Sequence, residues 1–316
     1  MARSVDVLIA TRDTRELTLR CLEAVQASAA GLEFACVVVD NASSDGTEAA
    51  IRERFPGTTL IRNDANESFA KACNQAAAAG PGEYLLFLNS DVIARPGAIA
   101  RLVEALAASP AHAAAGGCLV DVGTDSPQVG FTVRGFPTLA RQLALLAGLE
   151  RFWPTNPISR RQLMLDFDHD RSQDAEQVAG ACLLCRRADF ESLGGFDEGF
   201  YYWFEDVDLV WRLRGRGRIA YVAEARFEHV GGASFASWSR PEAIVTRHRS
   251  LLRYFDKHRP RAERVALRAG VALLAAVRAL YWRPFDPARS RAYATVARLA
   301  CSPPAGGTVG VDPPLG

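Results

Sequence analysis

Two apolar runs in this chain stop at an aspartate. Residues 37–40, VVVD, lead into the small polar stretch Asn41 to Thr47, and residues 84–91, YLLFLNSD, end on Asn89-Ser90-Asp91. A carboxylate fixed at a strand end can accept the imide N–H of a pyrimidine base, and the small residues behind Asp40 would let the backbone approach a nucleotide. Asp91 in the same kind of position suits a hard divalent cation, because Mg²⁺ takes one or two protein carboxylates plus substrate phosphates. A third group of acids, Glu205, Asp206 and Asp208, follows an aromatic run in YYWFEDVDLVWRL. An acid beside aromatic walls loses hydration and its pKa rises, as a general base requires. His229 precedes Val230-Gly231-Gly232, a small-residue turn that could admit a phosphate or a metal.

Each group has a plainer reading. Asp40 could cap the next helix, but Asp45 and Thr47 are better placed to cap, which leaves Asp40 free for a ligand. Asp91 could simply form a turn. Acids favour the first turn of a helix through the macrodipole and the open N–H groups there, although three in four residues exceed what capping needs. A lone His is usually structural, and Lys71 in SFAKACN reads as a solvated charge on a helix.

These residues need elements to hold them. Strands are predicted at 5–10, 34–40, 58–63 and 84–91, and helices at 15–28, 46–55, 68–79 and 97–108, the last opened by Pro96. Strand and helix alternate at short spacing through the first 110 residues, which predicts a mostly parallel sheet covered by helices on both faces, an α/β protein. Ligands of such sheets bind beyond the carboxyl ends of the strands, so Asp40 and Asp91 should emerge at one edge, with Thr11 following the first strand there. Residues 122–175 are irregular. Residues 176–200 read as a strand, then a short helix, then a Gly-rich turn, followed by an acidic helix from 205 and one or two strands over 219–231. From about 236 the chain is helical and basic, and 301–316 reads as a disordered tail.

Composition bounds the rest. The chain has 316 residues, and 49% apolar with 23% charged residues is ordinary globular composition. Net charge is +1, yet residues 236–316 hold 14 Arg or Lys against 5 Asp or Glu, which points the tail region at something anionic. Seven scattered cysteines include one CxxC, Cys182 and Cys185, without a second pair at zinc spacing, so they read as structural thiols. The N-terminal apolar run is short for a signal peptide and no long uncharged apolar stretch reads as a transmembrane helix, so a cytoplasmic setting is expected. In 261–283, Arg261, Arg264, Arg268 and Arg278 share one helical arc opposite Ala266, Ala269, Leu273, Val277 and Leu280. Such a helix lies in the headgroup plane of an anionic membrane, or packs on the body with its arginines outward. Nucleic acid is disfavoured, because no aromatic-interleaved basic stripe appears.

Taken in order, VVVDNASSDGT, NESFAKACNQA, LLFLNSD, VAGACLLCRRADFESLGGFDEGFYYWFEDVDLVWRLRGRG and FEHVGGAS resemble the family 2 inverting glycosyltransferases, particularly the bacterial rhamnosyltransferase-like branch, over roughly residues 4–255. The resemblance implies a glycosyltransferase A-type (Rossmann-like) nucleotide-diphospho-sugar domain over 1–235, a basic helical region over 236–300 and the tail. It implies that Thr11 and Asp40 hold the base, that Asn66 and Lys71 line the donor pocket with Asn89 and Ser90, and that Asp91 with His229 holds Mg²⁺ or Mn²⁺ at the diphosphate. Asp206 is then the expected base, with Glu205 beside it and Trp203 near the acceptor. Ser68 and Ser90 stand where family members often carry Gly and Pro. The implied donor is dTDP-rhamnose first and a UDP-hexose second. The implied acceptor is a polyprenyl-linked or growing surface polysaccharide, met on the inner face of the cytoplasmic membrane. A nucleotidyltransferase would want a Gly-rich triphosphate loop near the N-terminus, and IATRDTRELT has no glycine. A non-catalytic sugar-binding relative would be expected to lose the acids at 205–208, which are present.

Overall fold

Alternating apolar strands and amphipathic helices lay down the first half of one large sheet. The computed structural model describes residues 4–29, 31–232 and 238–303. The order begins β1 (Ser4–Thr11), α1 (Arg15–Ser28), β2 (Glu33–Asp40), α2 (Thr47–Arg54), β3 (Thr59–Arg62), α3 (Phe69–Ala78), β4 (Tyr84–Asn89), β5 (Val92–Ala94), α4 (Ala98–Ala108) and β6 (His112–Val120). It continues with β7 (Val133–Arg134), α5 (Leu139–Leu146), α6 (Leu149–Phe152), α7 (Pro157–Gln162), β8 (Gln173–Ala175), β9 (Gln177–Val178), β10 (Cys182–Arg186) and α8 (Arg187–Ser192). It closes with α9 (Glu205–Leu213), β11 (Arg218–His229), α10 (Arg240–His258), α11 (Arg261–Trp282) and α12 (Pro287–Cys301).

Among the described residues the main sheet has nine strands in the order β3-β2-β1-β4-β10-β6-β11-β5, with β8 also on β11. Strands β3, β2, β1 and β4 are parallel. β10 runs antiparallel between β4 and β6, and β11 is parallel to β6. Six of the nine strands therefore point the same way, with β10, β5 and β8 reversed. Alternation along each strand splits the core. Val38, Leu86 and Leu88 face Leu22, Ile51 and Leu102 from α1, α2 and α4. Val37, Val39 and Phe87 face Ala72, Ala76 and Leu209 from α3 and α9. Helices thus cover both faces, as predicted. Cys182 and Cys185 fall in these opposite cores, so the CxxC makes no common site. Burial pushes the Cys182 thiol up to about 12.

The strand expected over 84–91 stops earlier. Its last residue is Asn89, and after Ser90-Asp91 the chain starts β5, which pairs antiparallel with the end of β11 through Val92 and His229. Asp91 therefore sits on the link between two strands and beside a third.

Two compact units divide the chain. Among the described residues, those within 1–136, 163–197 and 206–236 form the first, and those within 137–162, 198–205 and 237–316 form the second. The sheet belongs to the first. The second consists of α5–α7, the aromatic segment 198–205 and α10–α12. A capping box at Ser239 and Glu242 starts α10. The expected tail lies outside the described residues from 304 onward.

Helix α11 corrects two expectations. It is long and apolar enough to cross a membrane by length and composition, which the sequence reading denied to every segment. Two of its arginines, Arg268 and Arg278, also do not point outward. Arg268 pairs with Asp256 and donates to the carbonyls of Leu299 (3.1 Å) and Ser302 (2.8 Å). Arg278 donates to the Leu146 carbonyl and lies over the Tyr293 ring at 5.6 Å. Helix ends expose carbonyls with no partner inside the helix, and the guanidiniums satisfy those of α12 and α5. Leu267, Val271 and Ala275 are buried on the same side.

Candidate active site

Strand register gathers the candidate residues of the first unit at one sheet end. Thr11 pairs with Asp40 and Ala10 with Asn89, so β1, β2 and β4 end level. The Asn89 N–H donates to the carbonyl of Ala181 at 3.1 Å, just ahead of β10. Next to it, the Gly180 N–H donates to Asp206 Oδ2 at 2.9 Å. On the other flank, the Val230 N–H donates to the Asp91 carbonyl at 3.1 Å. Asp40, Asp91, His229 and Asp206 thus all stand where the parallel strands terminate.

Asp40 is fully buried. Its Oδ1 accepts the Ser43 N–H at 2.9 Å, and its Oδ2 pairs with Arg62, whose guanidinium also donates to the Ser43 carbonyl at 3.0 Å. Asp45 does serve the start of α2, accepting the Thr47 N–H at 3.1 Å. The expectation that this leaves Asp40 free is corrected, because the register pairs Asp40 with Arg62 and brings a cation to it. The Thr11 hydroxyl is spent in a buried cluster with Thr14 (2.9 Å) and Thr18 (2.7 Å). Thr14 in turn meets the Ser90 hydroxyl at 3.1 Å. Ser68 caps α3 by accepting the Lys71 N–H at 3.1 Å, and the Lys71 ammonium pairs with Glu67 at 3.0 Å. Asn66 is half-buried on the same loop.

Asp91 and His229 form the most pointed arrangement. Asp91 is 3% exposed, and its Oδ1 has no hydrogen-bond partner. It faces His229 Nε2 at 3.6 Å, too far for a hydrogen bond. His229 Nδ1 meets Gln128 Oε1 at 2.8 Å, an acceptor, so Nδ1 carries the proton and Nε2 presents its lone pair toward Asp91. Gln128 is itself fixed, donating from Nε2 to the His229 carbonyl at 2.9 Å and to Asp121 at 3.0 Å. Phe131 stacks on the imidazole with centroids 4.9 Å apart. Burial pushes the His229 imidazole down, against the pull of Asp91, and favours the neutral ligand form. A buried carboxylate oxygen without a partner and a neutral imidazole nitrogen facing it fit a divalent cation. Among the described residues no group of three or more His, Cys, Asp or Glu side chains surrounds this or any other point, so further coordination falls to water and phosphate.

Asp206 is half-buried at the start of α9. Its Oδ1 accepts the Val207 N–H at 2.8 Å, while Gly180 holds Oδ2. Asp208 is fully buried and paired with Arg212 at 2.7 Å, a structural role. Glu205, also buried, closes the 198–205 segment of the second unit. There Trp203 meets Tyr202 and Trp238 edge-on at 5.4 and 5.6 Å. Trp203 and Phe204 both hold positive φ, 64° and 69°, a conformation that costs bulky residues about 1–3 kcal/mol each. The strain sits immediately before Glu205-Asp206. Sequence reasoning missed Arg62, Gln128 and Gly180. Arg62 ends β3 opposite Asp40 and was readable once the register was known. Gln128 lies in the irregular segment and carries no periodic signal.

The sheet order, the helices on both faces and the carboxylates at the strand ends define an α/β protein of the glycosyltransferase A-type fold. The mannosyltransferase PcManGT from Pyrobaculum calidifontis, solved with GDP-Man and Mn²⁺, superposes with a TM-score of 0.53 at 17% identity, covering 94% of this chain and 85% of that one. The chain belongs to glycosyl transferase family 2, whose model matches residues 6–164. It is 32% identical over 210 residues to N-acetylglucosaminyl-diphospho-decaprenol L-rhamnosyltransferase of Mycobacterium tuberculosis, covering 61% of this chain and 65% of that protein. It is 28% identical over 182 residues to rhamnosyltransferase WbbL of Escherichia coli K12, covering 56% and 63%. The chain thus spans a little under two-thirds of either relative.

Proposed function

We propose that this protein is a glycosyltransferase that moves a sugar from a nucleotide-diphospho-sugar to a hydroxyl of a lipid-linked glycan, with inversion at the anomeric carbon. The observation that carries the reading is the hydrogen bond of Gly180 to Asp206, which ties that carboxylate, through the neighbouring Ala181, to Asn89 at the end of β4, two residues before Asp91. The names of the Mycobacterium and Escherichia relatives support L-rhamnose as the sugar, so dTDP-rhamnose is the first donor, and the Mycobacterium name supports a polyprenyl-diphospho-linked acceptor. The setting is the cytoplasmic face of the membrane that holds such a lipid.

Asp40, steadied by Arg62, faces the base end of the donor, and Lys71 and Asn66 line the loop beyond it. Asp206 accepts the proton of the acceptor hydroxyl as that oxygen attacks the anomeric carbon. The bond to the diphosphate breaks in the same step, and the nucleoside diphosphate departs with the electron pair. Asp91 and His229 would hold a divalent cation, which when bound offsets negative charge on the leaving diphosphate. The fixed hydrogen bonds at Asp206 keep one carboxylate oxygen oriented without reorganisation during the reaction.

The test is a thermal-shift panel of dTDP, UDP, GDP and CDP sugars with and without Mg²⁺ or Mn²⁺. It is followed by transfer to a polyprenyl-diphospho-sugar, with product configuration read by NMR. A dTDP-sugar should raise the melting temperature most, and the product should be inverted. A product of retained configuration, or no response to any nucleotide sugar, overturns the proposal.

A further inference from the structure

Arg268 and Arg278 of α11 face inward, and what faces outward along the middle of the helix is apolar. At 100° per residue Ala262, Val265, Ala266, Ala269, Leu273, Ala276, Val277 and Leu280 fall within an arc of about 120°, and no charged residue shares it. Val265 is 60% exposed, Leu273 66%, Val277 55% and Leu280 69%. The strip runs on into Tyr281, 62% exposed, and Phe285, 71% exposed. A water-soluble surface rarely carries so continuous an apolar strip unless something covers it.

We infer that the outward face of α11 is a membrane-docking surface, lying in the headgroup plane of an anionic bilayer with its apolar strip toward the acyl chains. Three observations select a lipid surface over other occupants. Exposed Arg261 and Arg283 bracket the strip at its two ends, where lipid phosphates would lie beside an embedded helix. The C-terminal end gathers Tyr281, Trp282 and Phe285, with Arg289 over the Trp282 ring at 3.7 Å. Aromatic rings with an arginine at the end of an apolar helix suit the membrane interface. The region 236–316 is also strongly basic, with 14 cationic against 5 anionic residues.

The inward face decides between lying in the membrane and crossing it. Arg268 is committed to Asp256 and to three carbonyls, those of Leu299, Ala300 and Ser302. Arg278 is committed to Leu146 and Tyr293. Crossing would strip these guanidiniums of their partners and place them in hydrocarbon, where each is costly. Gly270 further seats α11 on α5, since a Cβ there would come within 2.5 Å of Leu143. The helix therefore keeps its packed face and offers the other. The choice of occupant rests on the proposed lipid-linked acceptor, while the strip itself does not.

The test uses the full-length protein and flotation with vesicles of phosphatidylcholine alone or mixed with phosphatidylglycerol. Wild type should float, more strongly with the anionic lipid, and alkaline carbonate should release it. Leu273→Glu with Leu280→Glu changes only exposed positions. It should cut vesicle binding roughly tenfold or more, while melting temperature and the thermal response to nucleotide sugars stay unchanged. Failure of flotation with an intact nucleotide response would sink the docking surface and spare the transferase reading. Retention after carbonate would mean that α11 spans, and would also overturn the inference. So would sedimentation showing that the double variant converts a dimer to a monomer without changing flotation, since the strip would then cover a second copy.

Discussion

Gly180 and Asp206 are locked together: the Gly180 N–H donates to Asp206 Oδ2 at 2.9 Å, and a Cβ on residue 180 would stand 2.5 Å from that of Asp206. Real Cβ atoms do not approach that closely, so either the loop before β10 or the start of α9 must move when residue 180 gains a side chain. Gly180→Ala should therefore lower turnover by about 10²-fold, because small misplacements of a positioned group are expensive. Nucleotide-sugar affinity should change little. A variant with wild-type kcat would show that this contact does not position the reacting carboxylate.

Asp206→Asn keeps one oxygen that can accept the Gly180 N–H, but it gives up the acceptor for the Val207 N–H together with the basic carboxylate. The fold and the donor affinity should survive, and kcat should fall by about 10²–10⁴-fold, the usual contribution of a general base. Kinetics with a saturating acceptor and isothermal titration of the donor would separate the two effects. Retention of more than a few per cent of wild-type turnover assigns the base elsewhere.

Much of this arrangement was legible in the sequence. Asp40 and Asp91 stood out because an apolar run that stops at an acid marks a strand end at the ligand edge of a parallel sheet. The helices were read from their apolar spacing, which local physics fixes. The rest depends on contacts that no local pattern records. β10 enters between β4 and β6 as a reversed strand nearly 100 residues after β4, and only that placement brings Gly180 beside Asn89. Gln128 lies in a segment without period and reaches His229 only across the fold. Arg268 and Arg278 share an arc that reads as a solvated face, yet their acceptors are carbonyls at the ends of α12 and α5.

Arg62 compensates a carboxylate that has no solvent of its own. Removing one partner of a buried pair leaves an uncompensated charge, but the Arg62 side chain is 35% exposed, which moderates the loss. Arg62→Ala should cost about 1–3 kcal/mol in urea denaturation. Arg62→Lys should recover part of it, since an ammonium cannot reproduce the guanidinium fork on Asp40 and the Ser43 carbonyl. An unchanged denaturation midpoint for the alanine variant would show that Asp40 is satisfied without it.

Gln128 is a positioning residue for His229, fixing which ring nitrogen faces Asp91. Gln128→Leu removes the acceptor for Nδ1–H and frees the ring to turn. Mn²⁺ affinity, read by electron paramagnetic resonance with nucleoside diphosphate present, should weaken by about 10–100-fold. Gln128→Glu keeps the acceptor but loses the donor to Asp121 and the His229 carbonyl, so it should recover only part of the affinity. Equal Mn²⁺ binding by the leucine variant and wild type would remove Gln128 from the site, and EDTA would then be expected to leave turnover intact if Asp91 and His229 hold no cation.

His248 sets a pH limit on the second unit. Burial pushes its imidazole below the ordinary value of 6.5, helped by Arg247 and Arg278, while its Nδ1 at 2.7 Å from the Ile244 carbonyl pulls the other way. Tyr293 from α12 packs edge-on against the ring at 6.5 Å and adds no compensating charge. The fold thus prefers neutral His248, and the unfolded chain binds the proton more tightly. Stability from this group is fully present above the unfolded pKa and is lost as pH falls through it toward the lower folded value. Melting temperature should accordingly decline as pH falls below the ordinary value of 6.5, and His248→Gln should flatten that decline. A slope identical in the two proteins would place the pH sensitivity at other groups.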